Sequence, residues 1–137
     1  MIKRLGVLGG MGPAASAEFM VRLVAQTPAK RDQDHIPTIL WSDNTVPDRS
    51  TSMRNGDNKP LPYLLSGIQG LVLAGCNLIV VPCNTAHLWF KEMEKQASWH
   101  ARIVHIVDSV ADALQDVNVI DSKIGVMGTQ ATVELGL

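Results

Sequence analysis

No excess of either charge marks this sequence: 12 Lys and Arg stand against 13 Asp and Glu, a formal net charge of −1. That balance argues against a surface built for polyanions, so no nucleic-acid partner is expected. Cysteine is equally scarce, with only Cys76 and Cys83 and no disulfide-scaffold spacing between them. A reducing setting, the cytoplasm, is the expected one. Charged residues are absent altogether from Pro60 to Phe90, a stretch long enough for a membrane span. Gly67, Gly70, Gly75, Asn77, Pro82, Asn84 and His87 interrupt it, which predicts a buried helix, strand and helix in sequence and no membrane partner. The apolar run after Lys3-Arg4 is too short and too glycine-rich for a signal peptide and reads as strand then turn.

What is present is a chain of 137 residues, 46% apolar and 18% charged, which disfavours disorder and suffices for one core but not two ordinary ones. Strand-like runs at Arg4–Leu8, Ile36–Trp41, Leu78–Val81, Arg102–Ile106 and Lys123–Met127 alternate with segments of helical period. The alternation predicts an α/β fold, a parallel sheet with helices on both faces. Helix one opens at Pro13, where a missing amide hydrogen costs nothing, and presents Ala15, Phe19 and Leu23. Helix two shows Leu61, Leu65, Ile68 and Val72; a third runs from about Asn84 to Gln96 and a fourth over Ser109–Val117. Asp43–Lys59 is polar, holds Pro47 and Gly56, and has no clear period, so it reads as a long functional loop.

Compared with itself, the chain repeats once. Leu5-Gly6-Val7-Leu8-Gly9 recurs as Ile124-Gly125-Val126-Met127-Gly128, 119 residues later, and each copy leads into a helix start. The repeat predicts a first domain over residues 1–117, then a linker and the opening strand and helix of a truncated second domain over 118–137.

Three places can carry chemistry. The turn Gly9-Gly10-Met11-Gly12-Pro13 joins a strand to a helix, where backbone amides and the helix dipole attract an anion. Gly10, Gly12 and Ala15 fit a relaxed dinucleotide fingerprint, but the acidic residue required about 20 positions on is missing, so no nucleotide cofactor is expected. Cys83 follows the strand Leu78–Val81 and precedes a helix start, where thiolate is favoured over thiol and the group can act as base or nucleophile. Asn84 and Thr85 add polar groups there; His87, one turn on, either tunes the thiol, joins it at a metal, or packs the helix. No metal site is expected, since His35, His100 and His105 have no ligand spacing with these residues. Cys76, ahead of the same strand, reads as a small buried hydrophobe. Arg49 in the long loop offers a forked guanidinium for a carboxylate.

With these residues in hand, the sequence resembles the aspartate/glutamate racemase family, which works without pyridoxal phosphate. The resemblance rests on Gly6–Ala15, on Asn44 with Pro47-Asp48-Arg49-Ser50, on Pro82-Cys83-Asn84-Thr85-Ala86-His87, and on Gly125–Thr132, in family order along nearly the whole chain. It implies one half of a pseudo-twofold, two-domain fold with an amino acid or related dicarboxylate bound in the cleft, and no cofactor. It further implies Cys83 as the first of two opposed cysteines that exchange the α-proton. Met11 and Gly12 of the turn, Arg49 and Ser50 on a carboxylate, and Asn84, Thr85 and Thr129 on the head group are the implied substrate contacts. Ser50 stands where a threonine is common and keeps the hydroxyl. The second cysteine would lie 119 residues past Cys83, beyond Leu137. The chain alone is therefore expected to racemise weakly or not at all. Two other readings stand beside it: a non-catalytic carboxylate-binding fragment, and a one-cysteine lyase or isomerase of arylmalonate decarboxylase or maleate isomerase type. A homodimer, each copy lending Cys83 to a shared cleft, is the assembly the repeat suggests.

Overall fold

β1 (Leu5–Gly9) is buried at every position and lies between β2 (Thr38–Ser42) and β3 (Leu78–Val80), with β4 (Arg102–Ile103) beyond β3. All three pairings are parallel, with Leu5 opposite both Thr38 and Leu78. The computed structural model describes residues 4–117 and 123–134. Among them are six α-helices: α1 (Pro13–Gln26), α2 (Arg49–Asn55), α3 (Leu61–Leu73), α4 (Phe90–Ala97), α5 (Ile106–Asp116) and α6 (Gln130–Glu134). None is long and apolar enough to cross a membrane. The α/β class and the parallel sheet are those the alternation of runs predicts.

Side chains alternate across the sheet with period two, and the two faces are covered unequally. Leu8 and Trp41 lie against α3 at Gly67 and Gly70, while Gly9 meets Ser16 of α1 on the opposite face. The core collects on the α3 side: Leu64, Ile68 and Leu71 are completely buried, as are Ile79 of β3 and Met93 of α4. Each such side chain stabilises the fold by about 1.5–3 kcal/mol. The α3 face is thus centred on Leu64, Ile68 and Leu71, with the expected Leu61, Leu65 and Val72 half-buried at its margins. On α1 the buried residue is Ser16; Phe19 and Leu23 are half-buried and Ala15 is exposed, which corrects the expected face.

Three further expectations are corrected. The loop Asp43–Lys59 contains α2, whose start is capped by the Asp48 side chain accepting from the Thr51 amide and whose end is turned by Gly56 at φ 65°. The single helix expected from Asn84 is a 3₁₀ segment, Thr85–Trp89, followed by α4. Lys123–Met127 forms no strand: its residues are exposed and pair with nothing in the sheet, although the helix start expected after Gly128 is present as α6. The domain boundary at 117/118 and the first residues of the linker border or fall within 118–122, outside the described residues.

Candidate functional site

The connection from β1 leads to one edge of the sheet, at β2, and that from β3 to the other, at β4. A crevice opens beyond the carboxyl ends of two such neighbouring strands, and ligands of open α/β sheets collect there. Gly10–Gly12 leave β1 at that place, and Pro82–Asn84 leave β3. A cavity of about 220 Å³ lies there, lined by Met11, Asp48, Arg49, Ser50, Cys83, Asn84, Thr85, Thr129 and Thr132.

Short elements bring these side chains in. The indole of Trp89 donates to Asn58 Oδ1 at 2.8 Å, fastening the segment after α2 to the 3₁₀ segment behind Cys83. α2 thereby holds Arg49 and Ser50 over the crevice. Arg49 Nη1 donates to the Val46 and Pro47 carbonyls at 3.3 and 3.2 Å, which fixes the plane of the guanidinium. Its Nε is buried and has no partner among the described residues. A buried N–H without an acceptor costs about 1–3 kcal/mol, a cost that an acceptor brought within its reach would remove. Hydrogen bonds from Thr51 hold the Asp48 carboxyl below the usual carboxylate range, with smaller contributions from the charges of Arg49 and Arg54.

Opposite, three hydroxyls form a chain. Thr85 Oγ1 lies 3.1 Å from Thr129 Oγ1, which lies 3.0 Å from Thr132 Oγ1 and accepts from the Thr132 amide at 3.2 Å. Thr85 and Thr132 are buried, so residues far apart in the chain close one wall.

Met11, Arg49, Ser50, Cys83, Asn84, Thr85 and Thr129 therefore share one cavity. Gly12 does not: the turn sends Met11 inward and leaves Gly12 exposed, with open space where a side chain would stand. The turn also uses one of its amides internally, since the Gly10 amide donates to Ser16 Oγ at 3.0 Å and that hydroxyl donates to the Gly12 carbonyl at 3.2 Å. Asp48 and Thr132 were missed, although both sit inside the stretches that carried the resemblance. Behind Cys83 the α-helical N-terminus expected to favour thiolate is displaced to Phe90 by the 3₁₀ segment.

Cys83 is half-buried against the cavity, whereas Cys76 is buried in the core, where burial pushes its thiol up from the ordinary value. His87 serves the backbone and not the thiol. Its Nδ1 lies 2.9 Å from the Cys83 carbonyl, to which it donates, and its Nε2 accepts from the Ile106 amide at 3.2 Å. Both nitrogens are used, so the ring is neutral and joins the segment after β3 to the start of α5. Among the described residues no three His, Cys, Asp or Glu side chains converge as metal ligands.

Burial lowers the His87 pKa below its ordinary 6.5, against the opposing bond to the Cys83 carbonyl. Between the lowered and the ordinary value the unfolded chain binds more protons than the folded one. This contribution to stability is therefore complete above 6.5 and is lost as the pH falls through the lowered value. The melting temperature is expected to drop as the pH falls from 6.5 to the lowered value, and to drop less steeply in His87→Gln. Equal slopes in the two proteins would refute the assignment.

The sequence model of the family described as Asp/Glu/hydantoin racemase matches residues 8–137. A broad-specificity amino-acid racemase of Bacillus subtilis (strain 168) is 25% identical over 134 residues, which are 95% of this chain and 56% of that protein. Among solved structures, Picrophilus torridus aspartate racemase superposes with a TM-score of 0.74 at 33% identity, over 85% of this chain and 48% of that one. An aspartate racemase homologue from Pyrococcus horikoshii OT3 shares the fold, with a TM-score of 0.71 at 21% identity over 85% of this chain and 50% of that one. The chain spans about half the length of these relatives.

Proposed function

The chain belongs to the Asp/Glu/hydantoin racemase family, and from that premise we propose that it carries one acid/base face of a cofactor-independent amino-acid racemase, in which the Cys83 sulfur takes the proton from the substrate α-carbon. The observation that carries this reading is that Cys83 and Arg49 open onto the same cavity. Arg49 binds a substrate carboxylate through the side of its guanidinium that includes the unpartnered Nε. The Cα–H bond breaks, an S–H bond forms, and the electron pair spreads into the α-carboxylate as an enediolate. Positive charge fixed in advance beside that carboxylate lowers the barrier because negative charge grows there. Asn84, Ser50 and the threonine wall hold the remaining polar groups, and Met11 supplies the apolar side of the cavity. A free thiol of this kind suits the reducing cytoplasm.

Inversion needs a second donor on the opposite face. Cys76 does not provide it, being packed in the core. Among the described residues the cavity therefore holds one thiol, the first of the opposed pair, and the second domain of the family fold would supply the other. The expected result follows from that asymmetry. In deuterated buffer the chain exchanges the α-proton of aspartate or glutamate faster than it inverts the stereocentre, because the proton leaves and returns on one face. Inversion keeping pace with exchange would show a second donor and overturn the one-thiol reading. Carboxylate binding without any exchange would leave a binding module and overturn the catalytic one.

A further inference from the structure

We infer that Asp48 is the residue by which this cavity distinguishes an α-amino acid from a dicarboxylate without an amine. Asp48 and Arg49 are consecutive, yet both line the cavity that Cys83 enters. Asp48 has extended-side backbone angles, φ −59° and ψ 120°, just outside α2, and Arg49 is the first residue inside it. The chain bends between them, and the two side chains present opposite charges to one small volume. Hydrogen bonds from Thr51, followed by the Arg49 and Arg54 charges, favour the ionised form of Asp48, so the negative charge is present at neutral pH. Capping does not exhaust it: Thr51 donates its hydroxyl and, at 2.6 Å, its amide, whereas a carboxylate has about four acceptor sites on its two oxygens.

A ligand that satisfies both charges carries a carboxylate and a cation a few bonds apart, which is the zwitterion of an amino acid. Succinate, malonate and maleate satisfy Arg49 and place a second negative group against Asp48. The pairing also suits the chemistry, because a carboxylate beside the ammonium keeps it protonated, and a protonated ammonium withdraws electrons from the carbon that loses its proton. The inference rests on the reading of Arg49 as the carboxylate holder.

Asn caps a helix as well as Asp does, so Asp48→Asn removes the charge and keeps α2. The test is calorimetric titration of the 137-residue chain with aspartate and with succinate. The unaltered chain is expected to prefer aspartate. In Asp48→Asn, aspartate binding weakens by about tenfold or more, as for loss of a charged hydrogen bond, while succinate binding is unchanged or tighter. Parallel changes for both ligands, or no change in either, would overturn the role of Asp48. Arg49→Gln keeps the two failures apart: it loses both ligands when the carboxylate reading holds. Unaltered binding in Arg49→Gln, or no binding of either ligand to the unaltered chain, would end that reading and this inference with it.

Discussion

On the proposed reading, replacing Cys83 with serine is expected to lower α-proton exchange by about 10²–10⁴-fold, the range that a positioned acid/base group contributes. Serine keeps the size and a hydrogen-bonding atom, but its hydroxyl is a far weaker acid than a thiol, so the group no longer ionises to take the proton. Because Cys83 is half-buried at a cavity wall, the variant is expected to keep the far-ultraviolet spectrum and melting temperature of the parent. The two cysteines also serve as each other's control. Cys76 is buried and its thiol is pushed up by burial, so iodoacetamide near neutral pH modifies Cys83 first. Modification of Cys83 is expected to abolish exchange, and bound aspartate to protect against it. Full exchange in Cys83→Ser, or preferential labelling of Cys76, would remove the sulfur from the mechanism.

The largest loss of stability is expected at Gly10. Its φ is +91°, and a Cβ there would stand 2.4 Å from the Asp43 carbonyl oxygen and 2.5 Å from the Asp43 carbonyl carbon and nitrogen. These are backbone atoms, which cannot rotate away as a side chain can. The unfavourable φ costs about 1–3 kcal/mol, and overpacking costs about 1–3 kcal/mol more. Gly10→Ala should thus lose about 2–6 kcal/mol, a large part of the about 5–15 kcal/mol by which a domain is stable. Gly12, two residues on, is the matched control. Its φ of −100° suits any residue, and nothing lies within 4 Å of the added carbon. Gly12→Ala should cost below about 1 kcal/mol. Urea midpoints of the two variants decide the matter, and equal losses would refute the argument.

Where hydrogen-bonding partners are local or the pattern is unambiguous, the sequence was a sufficient guide. β1 and β3 are short apolar runs closed by Gly9-Gly10 and by Pro82, and Pro13 is the first residue of α1. Lys123–Met127 has the composition of β1 and is no strand, because strand formation needs a neighbour's amides and carbonyls and none lies beside it. A strand is a property of its sheet. The helix α2 could have been found from Asp48 as a cap and Gly56 as a stop, but its seven residues show too little apolar period to stand out from a loop. The division of the segment after Asn84 into 3₁₀ and α portions was beyond reach, since both helices place residues three apart on one side. The convergence of Arg49, Cys83 and Thr129 was foreshadowed by their motifs. The place of Asp48 on the same cavity was not, because spacing does not show which way a capping residue faces.

Thr129 stands 44 residues downstream of Thr85, yet their hydroxyls meet in the same wall beside Cys83. On the proposed reading, substrate selection therefore draws on two distant stretches of the chain. A chimera that borrows only the first unit from a relative would import the thiol and the guanidinium while leaving behind the surface they work against. Exchanges meant to transfer specificity should cut beyond Thr132.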